Sequence, residues 1–355
     1  MKINRRALHG ALTILNKVAD HKSALAALHH VKIAAARGTV TVTTTNLDQT
    51  LEVELPGEGE LTICLPAKVL ASLVKPQSKD DGGDVIFEVL DENTVIVRTD
   101  GIRTHLATFP VEGFPAVNDD EFNLVALWPT RPLREALAFT LPCVSDDQTR
   151  PHICCLALTD DRVAATDGHR LQLCPAPTEL PEPLLLPVPT ARVLQQLLRT
   201  ADQVVLARTD NAVKMRVGDY TLTSKLVQAE FPPVDQVIPK TFDHEVTVDA
   251  QAFASAVKHL SALTNGSRTG GRMVVNGVIE LSSSDPDVGE AKVVVEPIEN
   301  THQGEDFVAG FNIGYLLDAI GKSKGQVSLK LAGRLDPLRV DHEDGRLGVV
   351  MPMRI

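Results

Sequence analysis

The chain has 355 residues, 43% of them hydrophobic, and a formal net charge of −11. This length exceeds what one core ordinarily organises and predicts two or three domains. No apolar run approaches the roughly 20 residues needed to cross a bilayer and MKINRRALHGAL has no signal-peptide core, so a cytoplasmic protein with no membrane partner is expected. The aromatics (Phe 10, Tyr 2, Trp 1) are too few for single-strand stacking platforms. The odd set Cys64, Cys143, Cys154, Cys155 and Cys174 makes no CxxC, which argues against a disulfide framework or a zinc site and for reduced, mostly buried thiols.

In chain order, apolar residues at helical spacing first appear in INRRALHGALTILNKVA from Ile3. GTVTVTTTNLDQTLEVEL then alternates with period two, as strands do, before a second helix, LPAKVLASLVK, from Leu65. NTVIVRTDGIRTHLATF carries an Asp-Gly turn between alternating residues, a hairpin signal, and runs into Phe-Pro. After the polar stretch Asn118 to Asn123, the same succession restarts with a helix from Trp128 and another from Val188. The strands of VKMRVGDYTLTSKLV follow, and again a Phe-Pro. Past Pro239 to His244 a third round begins, with helices from Val248 and Phe311. Leu70, Leu194 and Leu317 hold equivalent places in their helices at intervals of 124 and 123 residues. The fold expected is therefore α+β, with three repeated domains over 1–120, 121–243 and 244–355, each of two helices packed on antiparallel sheets.

The six helical segments contain twelve basic residues: Arg5, Arg6, Lys17, Lys68, Lys75, Arg131, Arg134, Arg192, Arg199, Lys258, Lys322 and Lys324. Against them, beyond the cap residue Asp249, stand only Glu135 and Asp318. The whole chain has 35 basic and 46 acidic residues, so acid concentrates on strands and loops. A bias shared by every helix of a repeated domain predicts one electropositive surface on a negative body. Basic side chains without interleaved aromatics reach phosphates without reading bases, which predicts sequence-independent, salt-sensitive contact with duplex DNA.

Catalytic signals are thin. Asp167 and His169 have a spacing that would suit a hydrolase, but no nucleophile elbow, HExxH or dinucleotide turn accompanies them. Gly321-Lys322-Ser323 ends a helix instead of opening one and has Leu316 where a phosphate loop needs its first Gly. The Gly-rich TNGSRTGGR from Thr264 reads as a turn between helix and strand. No cofactor or metal is expected.

VAATDGHRLQLC, VGDYTLTSKLVQAEFPPVDQVIPK, GFNIGYLLDAI and the terminal VVMPMRI, with Thr45 to Asp48 and Gln148 to Pro151, resemble in order and over the whole length the β sliding clamp of bacterial DNA polymerase III. The resemblance implies a non-catalytic processivity factor of the polymerase III holoenzyme. It would be a head-to-tail homodimer whose six domains form a ring around duplex DNA, with helices inside. It also implies placement on DNA by an ATP-driven clamp loader, and tethering of replicative polymerase, ligase and repair proteins through short peptides. By position, the peptide groove comprises Ile153, Thr166, Gly168, His169, Arg170, Leu171, Pro232 and Val237, with Asn312, Tyr315, Val349, Met351, Pro352, Met353 and Arg354. Arg170 and Arg354 are expected to meet polar groups of the peptide. DNA contact is expected from Lys22, Gln148, Arg150 and His152, together with Arg5, Lys75 and Arg199 of the helices. The subunit interface is expected to set Arg98, Arg103 and Leu106 on an edge strand against Ala262, Leu263 and Glu290. Gln236 stands where the family often has an Arg beside the groove, and Cys154-Cys155 where it has Asn-Gly. These departures leave open a divergent second clamp serving repair or a specialised polymerase.

Overall fold

The computed structural model describes residues 1–78, 82–116, 121–176, 178, 180, 182–263 and 270–354. The polar stretch from Asn118 and the Gly-rich stretch from Thr264 lie partly outside these residues. All six expected helices are present: α1 (Arg5–Leu15), α2 (Ala67–Leu73), α3 (Thr130–Thr140), α4 (Val188–Leu197), α5 (Ala250–Ser261) and α6 (Ile313–Ile320). Each begins at the residue after a strand ends, and the residue at that junction explains why the chain turns. Asn4, Asp249 and Asn312 cap α1, α5 and α6, their side-chain oxygens accepting from the backbone N–H groups of Ala7, Ala252 and Tyr315 at 3.0, 2.7 and 3.1 Å. Such a cap contributes about 1 kcal/mol. Before α2, α3 and α4 the junction residue is Pro66, Pro129 or Pro187, whose missing N–H and fixed φ suit a strand end but not a helix interior. The helices are shorter than their apolar patterns suggest, since α1 yields its first residues to the strand Lys2–Asn4.

The chain forms two compact units, residues 1–131 with 189–226, and residues 132–188 with 227–355. The first holds a 12-stranded antiparallel sheet whose path runs from the edge strand Ile102–Ala107 to Asn123–Pro129. Within it, Tyr220–Lys225 pairs with Gln49–Glu58, Tyr220 opposite Val53, so strands of the second repeat continue the sheet of the first. The second unit holds a nine-stranded and a five-stranded sheet. Here Arg170–Pro175 pairs with Leu347–Val350, Arg170 opposite Val350, so the other half of the second repeat continues into the third. Backbone pairing across the repeats is the reason the compact units cut through the second one.

In the second unit, α5 and α6 bury Phe253, Val257, Leu260, Leu316 and Ile320 among Val246, Leu281, Phe311, Leu329 and Val340. Each such side chain contributes about 1.5–3 kcal/mol. In the first, Leu8, Leu12 and Leu15 of α1 and Leu70 of α2 are fully buried. The period of 3.6 read in the sequence is the period of this burial. The five cysteines are free thiols, and only Cys154 is less than buried.

Candidate functional site

The segment TDGHR closes a hairpin between strands Arg162–Thr166 and Arg170–Pro175, and its local chemistry dictates its shape. Gly168 has φ +91°, a conformation that disfavours a side chain. Thr166 donates its hydroxyl to Arg170 O at 2.7 Å and accepts from Gly168 N at 3.1 Å. One Asp167 oxygen accepts from the backbone of His169 (2.8 Å) and Arg170 (3.1 Å), and the other from Arg170 Nε at 2.9 Å. The Asp167 carboxylate is thus spent on holding the turn and is not available as the base that the hydrolytic alternative built on Asp167 and His169 requires. Burial also pushes the thiols of Cys155 and Cys174 up to about 12, which leaves neither as a nucleophile.

Against this hairpin lies the end of the chain. Leu347–Val350 extends the nine-stranded sheet beside Arg170–Pro175, and Met351 N donates to His169 O at 2.9 Å. The chain then changes sheets: Pro352 and Met353 pair with Phe311 and Gly310 in the five-stranded sheet. Met351 and Met353 stand at this crossing 42% and 39% exposed, a large apolar surface left open. Beneath it Leu171 and Val349 are buried in a cluster with Val234, against which Phe231 and Ile238 pack. Ile153 and Thr166 are buried, Pro232 is half-buried, and Val237 and Arg354 are exposed. The result is an adaptable thioether and aliphatic surface over a rigid floor, the character of a site for apolar peptide side chains.

The Arg170 side chain is only 12% exposed. Besides Asp167, it donates to Asp318 at 2.5 Å and to Pro142 O at 2.5 Å, and its guanidinium lies 4.1 Å from the ring centroid of Tyr315. Its donors are turned to the protein, where they brace the groove wall, while Arg354 stays exposed. Three contributors are absent from the sequence reading. Val234 supplies floor, Arg162 pins the 234–236 turn through a two-pronged pair with Asp235 at 3.0 and 2.6 Å, and Asp318 holds Arg170. The Phe-Pro-Pro-Val run was the available signal for the first; the other two depend on pairing across the fold.

Of the twelve basic residues in the helical segments, ten are exposed, Arg134 is half-buried and Arg5 is buried. Arg5 is therefore withdrawn from the DNA-contacting set. Its Nε donates to Val74 O at 3.2 Å and an Nη to Lys75 O at 2.8 Å, carbonyls at the end of α2, and it pairs with Asp100. Lys75, Arg199, Lys22 and Gln148 are exposed, while Arg150 and His152 are half-buried. Arg150 pairs with Asp147 at 2.9 Å and reaches to 3.1 Å from where a Cβ on Gly168 would stand, beside the groove turn.

Of the expected interface residues, Arg103 and Leu106 lie on the edge strand Ile102–Ala107 of the 12-stranded sheet and Glu290 on the edge strand Gly289–Val295 of the five-stranded sheet, whereas Arg98 is on the neighbouring strand Thr94–Thr99 and Ala262 and Leu263 follow the end of α5. Arg103, Ala262 and Glu290 are exposed and Leu263 is half-buried, whereas Arg98 is paired with Glu88 at 2.6 Å. Leu106 is 8% exposed. It is the inward residue of its strand and packs into the first unit, while Ile102, 55% exposed, is the more open apolar side chain of this edge.

Family models for the DNA polymerase III beta subunit match nearly the whole chain: the N-terminal domain over residues 1–118, the central domain over 129–233 and the C-terminal domain over 235–354. The beta sliding clamp of Pseudomonas putida is 29% identical over 371 residues, covering 99% of both chains. That of Caulobacter vibrioides is 28% identical over the full length of both. Among solved structures, a sliding clamp from Pseudomonas aeruginosa bound to griselimycin superposes with a TM-score of 0.90 at 26% identity, over 100% of this chain and 99% of that one.

Proposed function

Because this chain belongs to the DNA polymerase III beta subunit family, whose three clamp domains it carries in order, we propose that it is a processivity clamp. It would encircle duplex DNA without catalysing a reaction and tether polymerase and repair proteins by their peptides. The observation that carries the reading is the groove: open methionines over a buried aliphatic floor, between the 166–171 hairpin and the chain's end. Peptide binding there needs no base or nucleophile.

The three domains span 1–120, 121–243 and 244–355 in this reading, and the exposed basic residues of their helices meet the phosphate backbone. Two sheet edges, one in the first domain and one in the third, support a head-to-tail dimer, since each exposes backbone groups that a partner strand satisfies. A clamp loader would open and close this ring in the cytoplasm, at the replication fork. The test is retention on nicked circular DNA after loading with a clamp loader and ATP, followed by linearisation. Escape through the new ends is expected of a ring; retention after cutting would mean direct affinity and would overturn the reading. Removing residues 351–355 is expected to abolish peptide binding and leave the dimer intact.

A further inference from the structure

The guanidinium of Arg170 is held from three sides by segments far apart in sequence: the hairpin through Asp167, the 141–143 turn through Pro142 O, and α6 through Asp318. On α6, Tyr315 and Asp318 are three residues apart and so share a face. The guanidinium contacts both, an Nη 2.5 Å from Asp318 and its Cζ 4.1 Å from the Tyr315 ring centroid. A second tie fixes the same turn of helix, as Gln172 Nε2 donates to Asp318 O at 2.5 Å.

We infer that Asp318 is a positioning residue for the groove: it keeps the Arg170 head turned inward and over the Tyr315 ring, so that an incoming peptide meets an aromatic wall and not a cation. The inference rests on the groove reading above. Two physical consequences follow. Without Asp318 one donor pair of Arg170 is released and the ring loses the partner that fixes its face. The three-residue cluster of Asp167, Arg170 and Asp318 carries one net negative charge, which disfavours an acidic peptide. Neutralising Asp318 removes that repulsion and frees a cationic edge to meet it.

The test measures binding of griselimycin and of two synthetic hexapeptides, one built of Leu and Phe with an amidated end and one with a single Glu introduced, to the full chain and to Asp318→Asn and Asp318→Glu. Expected for Asp318→Asn is a loss of about tenfold for griselimycin and the apolar peptide, with the affinity for the Glu peptide almost unchanged, so that discrimination against it narrows about tenfold. Asp318→Glu, which restores the charge, should return both affinities to within about threefold. Equal losses for all three probes in both variants would mean a merely structural role and would overturn the inference, as would unchanged binding by Asp318→Asn. Should Asp318→Asn fail to fold, Asp318→Glu with Tyr315→Leu decides by the same ratio of Glu to apolar peptide: a ratio unmoved by loss of the ring overturns the inference. Failure of the unaltered chain to bind any of the probes would instead sink the groove reading itself.

Discussion

Arg5 and Arg170 show how burial redirects a cation. Both were expected to face a ligand, and both turn their donors onto carbonyls and carboxylates of their own chain. Arg5 is 3% exposed. Arg5→Ala would strand Asp100 and leave carbonyls at the end of α2 without their donor, so we expect a loss of about 2–4 kcal/mol in chemical denaturation. A change confined to DNA retention, with stability intact, would contradict this assignment. His342 makes a second prediction at this scale. Its Nε2 donates to Ala319 O at 2.9 Å and its Nδ1 lies 2.6 Å from the Ser323 hydroxyl, which also donates to Ile320 O at 2.9 Å. Burial, followed by the neighbouring Arg346, holds its pKa below the ordinary 6.5. The unfolded chain therefore takes up a proton first as pH falls. Stability from this site is fully present above pH 6.5 and is lost progressively below it. Denaturation midpoints measured from about pH 7.5 to about 5.5 should fall, and His342→Gln should flatten that slope.

At the scale of elements, the recurring unit is a strand that ends in Asn, Asp or Pro and passes directly into a helix. α6 shows how tightly that unit is packed. A Cβ added to Gly271, in the strand Gly270–Val275, would stand 2.1 Å from Ile313 Cδ1 and 3.2 Å from Ser282 O. Gly271→Ala must push the first residue of α6 outward against a strand that cannot retreat, at an expected cost of about 1–3 kcal/mol in thermal or denaturant melts. Because α6 also carries Tyr315, weaker peptide binding should accompany it. An unchanged melting curve would show that the helix start is more yielding than its packing implies. The final strand is the other informative element: by leaving one sheet for another at Met351, it exposes two methionines where a continuous strand would pair and alternate them.

For the whole molecule, charge is what links fold to task. The net charge is −11, yet ten of the twelve basic residues in the helical segments are exposed. Phosphate contact through such side chains releases counterions, so binding should weaken with salt and each contact should steepen the dependence. Replacing Lys75 and Arg199 by Glu should weaken direct, salt-sensitive contact with duplex DNA and lower the magnitude of its salt slope by about 2. Affinity and slope equal to those of the unaltered chain would remove these residues from the DNA surface.

Much of this was legible in the sequence, and the legible part is local. The six helices, their junctions and the threefold repeat follow from periods of 3.6 and 2 and from capping residues that act within a few positions. The same holds for the 166–170 turn, whose hydrogen bonds span two to four residues. Tertiary structure decided the rest: which cations are spent inside, with Arg5 meeting Asp100 across 95 residues and Arg170 meeting Asp318 across 148; that Leu106 is core; and that the second repeat shares its sheets with both neighbours. Those outcomes depend on pairs brought together only when the sheets close, and residue type and spacing along the chain carry no trace of them.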